Sequence, residues 1–220
     1  MDVYEALYTT RAMRRVRPDP IPLDVQKRSI DAAIRAPSGG NQQNWRFLFV
    51  DDREVMARIG PIYRECIALL WDTYYKPLLD RARATPDEPE SREALKMQRS
   101  AQHLADHFEE YPLLLFGFAK ADRSGGSIYP ALWSAQLAAR AEGVGSALTS
   151  MLSLRRDDVF PILGIPTDTD WVMSGMLTFG YPTGRWGVAR RRPAHEVTNR
   201  NQWGRDAGFE IPEPLWPHDD

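Results

Sequence analysis

The chain has 220 residues, 43% hydrophobic and 26% charged, with a formal net charge of -2 at pH 7. That length supports one core of ordinary size, and so even a balance gives no electrostatic reason to expect nucleic acid as a partner. A single cysteine, Cys66, excludes an intrachain disulfide and a cysteine-built metal cluster and suits the cytoplasm.

Residues 2–13 read as a short helix with Val3, Leu7 and Met13 on its apolar side. MDVYEALYTTRAMRR has no apolar stretch long enough for a signal peptide. RRVRPDPIP, at 14–22, is basic and extended, because each proline disfavours the helical region for its predecessor. Residues 23–35 form a second expected helix, with Leu23, Ile30 and Ile34 towards one face, stopped by Pro37. APSGGNQQNW, at 36–45, is a polar, glycine-bearing loop, and WRFLFVDD is a strand. The segment 55–82 is apolar at helical spacing and reads as two helical pieces, RATPDEPESRE as a solvated loop, and 94–111 as helix.

YPLLLFGFAK is almost wholly apolar, the pattern of a central strand buried on both faces; its LLLFGFA core is too short to span a bilayer. After the turn ADRSGGS, IYPALWSAQLAARAEG is a helix stopped by Gly143. A short strand-like passage, VGSALTSML, leads to a short helix in RRDDVFPILGIP and a last strand in DWVMSGMLTFGYP. The final forty residues are polar and proline-rich, yet carry Trp203, Phe209, Ile211 and Trp216. Those side chains need an apolar surface, either on the chain's own domain or on a second subunit. No domain boundary or internal repeat interrupts 1–220.

Three polar groups can carry chemistry. Arg11, Arg14 and Arg15 set three guanidiniums within five residues, suited to an anion and above all to phosphate; a plain surface charge patch is the alternative. In the loop, Gly39 and Gly40 allow close backbone approach, and Ser38, Asn41, Gln42, Gln43 and Asn44 offer donors and acceptors. Arg190, Arg191 and Arg192 form a second basic triplet. Together they suggest a phosphate joined to a polar, planar head. Neither a phosphate loop ending in Gly-Lys-Ser nor a GxGxxG after a strand is present. His103 and His107, four apart, lack a further ligand in register and make a poor metal site.

In order along the chain, TTRAMRRVRPDPIP, APSGGNQQNWRF, SIYPALWSAQLAARAEGVGSALTS and GYPTGRWGVARRRPAHEVTNRNQW resemble the signatures of the nitroreductase-like FMN-dependent oxidoreductases, over roughly residues 5–203. The resemblance implies an α+β fold, a mixed central sheet wrapped by helices, in an intertwined homodimer. FMN sits at the interface, and the C-terminal arm, residues 185–220, packs on the partner subunit. It places Arg11, Arg14, Arg15 and Arg191 or a neighbour on the FMN phosphate and ribityl chain. Pro37, Ser38 and Gly39 fall along the flavin, Asn41 and Gln43 near its redox-active edge, and the backbone of Gly143, Val144, Gly145 and Ser146 at its pyrimidine edge.

The resemblance also implies that flavin carries the chemistry, with NADH or NADPH as donor, a small flat acceptor such as a nitroaromatic or quinone, and no catalytic side chain. Residues 60–110 would line the substrate channel, with Trp71, Tyr74, Tyr75 and Phe108 available for stacking, or else packing the helices together. Flavin sequestration without turnover, dehalogenation and flavin-dependent oxidation remain alternatives. The chain departs from the family pattern at Thr10, Ala12, Val16 and Asn44, which replace an Arg, a Ser, a Phe and a Pro, and at Trp133–Ser134 in place of Gln-Asn.

Overall fold

The computed structural model describes residues 1–166 and 168–217. Its first helix, α1 (Val3–Thr9), starts where the Asp2 carboxylate accepts the backbone N–H groups of Tyr4 and Glu5 at 2.6 and 2.9 Å. It stops before Thr10, four residues short of the expectation. Residues 12 and 13 are instead drawn to the sheet: Met13 N–H donates to Ser146 O at 2.9 Å. A two-residue strand, β1 (Val16–Arg17), follows, then α2 (Leu23–Ala33).

The α2 helix buries Val25, Ser29 and Ala33, not the face expected from its larger side chains. Leu23 and Ile34 are 64% and 42% exposed. After the loop come β2 (Trp45–Val50), α3 (Arg53–Asp72) and α4 (Lys76–Ala84). RATPDEPESRE is a loop only at 85–88, because α5 (Pro89–Asp106) begins at its second proline. Proline is favoured in the first helical turn, where its missing N–H would have no intrahelical partner and its φ is already set.

Strand β3 (Leu113–Ala119) is buried along its whole length. Helix α6 (Ile128–Ala141), β4 (Gly145–Thr149), α7 (Arg156–Ile162) and β5 (Val172–Pro182) complete the set. The sheet runs β1-β5-β3-β2, with β4 also on β5. Every pairing between these strands is antiparallel, and parallel pairing is confined to the isolated bridge Ala12–Ser146. The expectation of a mixed sheet is corrected to that extent.

Alternation along β3 builds the core on both faces. Leu114, Phe116 and Phe118 join side chains of α3, α5 and α7, while Leu113, Leu115 and Ala119 join those of α2 and α6. Strand β2 starts beside the end of β3, Trp45 opposite Ala119, whereas Leu113 lies opposite Phe179 near the end of β5. The sheet therefore has two functional ends, separated by six residue steps of β3, about 20 Å at the strand rise. No helix among the described residues is long and apolar enough to cross a membrane.

Candidate functional site

At the Leu113 end, the basic segment, the glycine turn and the C-terminal segment meet. Gly143 takes a positive φ of 74° at the end of α6. Its N–H donates to Arg140 O, and the N–H of Val144 donates to Ala139 O, at 3.0 and 2.9 Å. Those two donors complete the helix and are not free for a ring edge, which corrects that part of the expectation. Gly145 and Ser146 are buried in β4, and Ser146 Oγ accepts from Gln136 Nε2 at 3.0 Å. A Cβ on Gly145 would stand 2.8 Å from Met13 Cβ, so the glycine permits the close passage of the basic segment.

Beyond Met13, Arg14 and Arg15 line a cleft of 210 Å³ with His103, His107, Tyr111 and Thr183. Arg14 O accepts the Tyr111 phenol, Arg14 Nη1 donates to Ser100 Oγ at 3.3 Å, and Arg15 O accepts the Thr183 N–H at 3.0 Å. Burial pushes the Tyr111 phenol well up, against the pull of Arg14 and Arg15, so it stays a protonated donor. Burial, then His107, then Arg15 hold His103 below its ordinary value. The two imidazoles lie in contact, centroids 4.0 Å apart and planes tilted by 35°.

The C-terminal segment is attached to the same end. Arg11 donates to Arg185 O at 2.9 Å, Ala189 N–H to Tyr8 O at 3.3 Å, and Arg190 pairs with Glu93 of α5 at 2.7 Å. Arg191 is exposed and donates only to its neighbour's carbonyl, Arg190 O, among the described residues. The Arg140 guanidinium lies 4.0 Å from the Trp186 ring centroid, and Trp216 packs on Tyr8 at 5.8 Å. Part of the arm thus lies on its own domain, while Trp203 is 98% exposed; residues 218–220 of the arm fall outside the described residues.

Among the described residues, none of Arg11, Arg14 and Arg15 has a carboxylate within 4.0 Å. Arg28, Arg64, Arg140 and Arg155 all do. Arg14 and Arg15, unpaired though Glu110 also lines their cleft, form with the hydroxyl donors of Tyr111 and Thr183 a donor set for an anion, and Arg11 lies outside that lining.

The glycine-bearing loop lies at the other end of the sheet. Lys120 N–H donates to Asn44 O at 3.1 Å, and Gly39 N–H to Ser127 Oγ at 3.3 Å. Gly40, Asn41 and Gln43 all have positive φ, 57°, 53° and 52°, a coiled backbone closed by Gln43 N–H on Ser38 Oγ at 3.2 Å. Pro37, Gly39, Asn41 and Gln43 are exposed or outward-facing. The loop and the turn at 120–127 enclose a cleft of 270 Å³ lined by Ser38, Gln42, Gln43, Lys120, Asp122 and Ser124. One copy of the chain therefore does not bring this loop to the arginines.

The aromatic residues divide. Phe108 is fully buried and packs on Tyr63 at 5.1 Å, so it belongs to the core and lines no channel. Trp71 donates its indole N–H to Gln102 Oε1 at 2.7 Å. Tyr75 lies 5.7 Å from Trp71, and Tyr74, 76% exposed, packs edge-on to Tyr75 at 4.9 Å. Trp71 is thus fastened to α5, and none of the three rings lines the arginine cleft. The sequence reading missed His103, Tyr111 and Thr183 as cleft residues, and Arg99 and Gln102 in the hollow beside the cleft. Arg99, Gln102, His103 and Asp106 share one face of α5 at helical spacing, a polar stripe that ordinarily marks a solvated surface.

Residues 7–181 match the model of the nitroreductase family. The chain belongs to that family. It is 30% identical over 222 residues to a 5,6-dimethylbenzimidazole synthase of Rhodospirillum rubrum, covering 90% of this chain and 94% of the relative. It is 28% identical over 211 residues to an NADH dehydrogenase of Thermus thermophilus, covering 90% and 95%. A crystal structure of oxidized iodotyrosine deiodinase bound to FMN and 3-iodo-L-tyrosine matches with a TM-score of 0.68 at 23% identity, over 86% of this chain and 95% of that one, a likeness of fold. A nitroreductase-family flavoenzyme fold, α+β with a helix-wrapped central sheet, is thereby established, and with it FMN-dependent oxidoreductase activity at the level of the family.

Proposed function

We propose that the chain acts as a homodimeric FMN oxidoreductase that takes electrons from NADH or NADPH and delivers them to a flat small molecule such as a nitroaromatic or quinone. The observation that carries this reading is the arginine cluster without carboxylate partners, in a chain of this family. Its chemistry fits the FMN phosphate: Arg14 and Arg15 supply planar charged donors, and the Thr183 side chain stands in the same cleft. FMN, when bound, supplies hydride acceptance and electron return, which removes the need for an acid–base triad.

The chain's own work is to bind, orient and shield. Arg11, Arg14 and Arg15 hold the phosphate and ribityl end, and Arg191, exposed on the attached C-terminal segment, closes over it. Pro37, Ser38, Gly39, Asn41 and Gln43 reach the flavin from a second copy, since their own copy holds them at the far end of the sheet. Exposed apolar side chains on and beside three helices support such a partner: Val3 and Leu7 of α1, Leu23 of α2 with Ile34 just after it, and Tyr129 and Trp133 of α6. The exposed Trp203 adds a candidate contact from the arm. The similarity to an NADH dehydrogenase favours a nicotinamide donor.

The test is the absorption spectrum of the purified protein, followed without oxygen after adding NADH or NADPH. A flavin spectrum bleached by either donor supports the reading, whereas a protein that retains no flavin at any FMN concentration sinks it. A second reading, a specialised member of benzimidazole-synthase type, is favoured by the 30% identity along nearly the whole chain. Mass spectrometry for 5,6-dimethylbenzimidazole, after aerobic incubation with reduced FMN, separates the two.

A further inference from the structure

His103 of α5 and His107, just after it, line the cleft that holds Arg14 and Arg15. Their rings differ in what they can offer. His107 Nδ1 lies 2.9 Å from the backbone carbonyl oxygen of His103, which can only accept, so Nδ1 carries the hydrogen and donates it there. Nε2 of the neutral ring is then an acceptor, with nothing for an anion. Neither ring nitrogen of His103 has a hydrogen-bond partner among the described residues. A cleft-lining imidazole with both nitrogens uncommitted can present an N–H to a ligand in either tautomer.

The charges around this ring can be counted. Arg14 and Arg15 bring two positive charges to the cleft and Glu110 one negative charge, while the Tyr111 phenol stays neutral. In the adjoining hollow, which His103 also lines, Arg99 and Asp106 cancel. With both imidazoles neutral the set is positive by one charge, and a dianionic phosphomonoester leaves it negative by one. A proton on an imidazole restores the balance. Burial, then His107, then Arg15 favour the neutral ring in the free protein, against Asp106 and Glu110, and a phosphate beside the ring works the other way. We propose that His103 is a third donor to the FMN phosphate, beside Arg14 and Arg15, and takes a proton from solvent when that phosphate binds. The inference rests on the proposed flavoenzyme reading for the name of the ligand, while the chemistry it describes needs only a phosphate group. Because the ligand raises the proton affinity of the ring, the added grip is present at low pH and lost as pH rises.

Calorimetric titration of the flavin-free protein with FMN, in buffers of different ionisation enthalpy near neutral pH, counts the protons exchanged. A grip by arginines alone releases protons, because it favours the dianion of a group whose second ionisation lies at about pH 6. The wild type is expected instead to take up a fraction of a proton per FMN, and none with riboflavin, which lacks the phosphate. His103→Gln should turn uptake into release, whereas His107→Gln should keep it. FMN should also bind the wild type about two- to threefold tighter at about pH 6.5 than at about pH 8.5, an advantage lost in His103→Gln. Net release or no exchange in the wild type, equal uptake with riboflavin, or uptake that survives His103→Gln overturns the proposal. If the protein binds no FMN, the flavoenzyme reading falls and inorganic phosphate takes its place in the same titration. Uptake larger in the wild type than in His103→Gln then keeps this inference, and equal counts or no binding overturn it as well.

Discussion

The backbone N–H of Met13 donates to the backbone carbonyl of Ser146 at 2.9 Å, fastening the basic segment to the edge of β4. That bond, with Tyr111 on Arg14 O and Thr183 on Arg15 O, fixes the backbone from which the two guanidiniums project. All three bonds engage the backbone of the basic segment, so the Arg14 and Arg15 side chains can be changed with little disturbance to the fold.

Removing one guanidinium should therefore be read in ligand affinity. Arg14→Ala or Arg15→Ala should raise the FMN dissociation constant between about tenfold and a hundredfold, the range for a charge-assisted hydrogen bond. Fluorescence titration measures it, and the thermal midpoint should move little.

Gly145 should behave in the opposite way. A methyl group there meets Met13 Cβ at 2.8 Å and Pro182 Cγ at 3.1 Å. Gly145→Ala should cost about 1–3 kcal/mol through overpacking, measured by urea unfolding, with FMN affinity falling because the basic segment is displaced.

Phe108 and Tyr74 separate core from rim. Phe108→Ala empties a fully buried site and should cost about 3–5 kcal/mol. Tyr74→Ala, at an exposed ring, should stay within about 0.5 kcal/mol in stability. Paired unfolding and steady-state assays check both; an activity change at Tyr74 without a stability change would place it on the acceptor path.

His103 gives the pH dependence. Burial, His107 and Arg15 depress its value, while Asp106 and Glu110 oppose them. The folded protein thus prefers neutral His103. Its contribution to stability is present above the ordinary value of 6.5 and is lost as pH falls through the lower folded value. Proton NMR titration should place His103 below 6.5 without ligand, and a bound anion should shift it upward. A value at or above 6.5 in the free protein would contradict the geometry.

The central strand was legible because a run as apolar as LLLFGFA fits only a position buried on both faces. The arginines were legible because clustered like charge is costly unless solvated or paired. The face of α2 was not: Leu23 and Ile34 point outward, and a single-chain reading assumes that large apolar side chains turn inward. The role of α5 was hidden for the converse reason, since Arg99, Gln102 and His103 look like a solvated stripe until Arg15 is folded against them. Phe108 was ambiguous in sequence, where a core ring and a stacking ring look alike. The separation of the loop at 37–43 from Arg14 and Arg15 is a property of strand order, which local motifs do not encode.

That separation leads to the central claim, that the FMN site is completed by a second copy of the chain. Mixed dimers test it directly. One chain carries Arg14→Ala with Arg15→Ala, the other Ser38→Ala with Asn41→Ala, each on a different affinity tag, and the tandem-purified heterodimer is titrated with FMN. If the site spans two copies, one of its two sites is doubly damaged and the other intact, so about one FMN per dimer should bind with wild-type affinity. No wild-type binding in the heterodimer, when each homodimer is also impaired, would put the arginines and the loop on one copy's site and contradict the account.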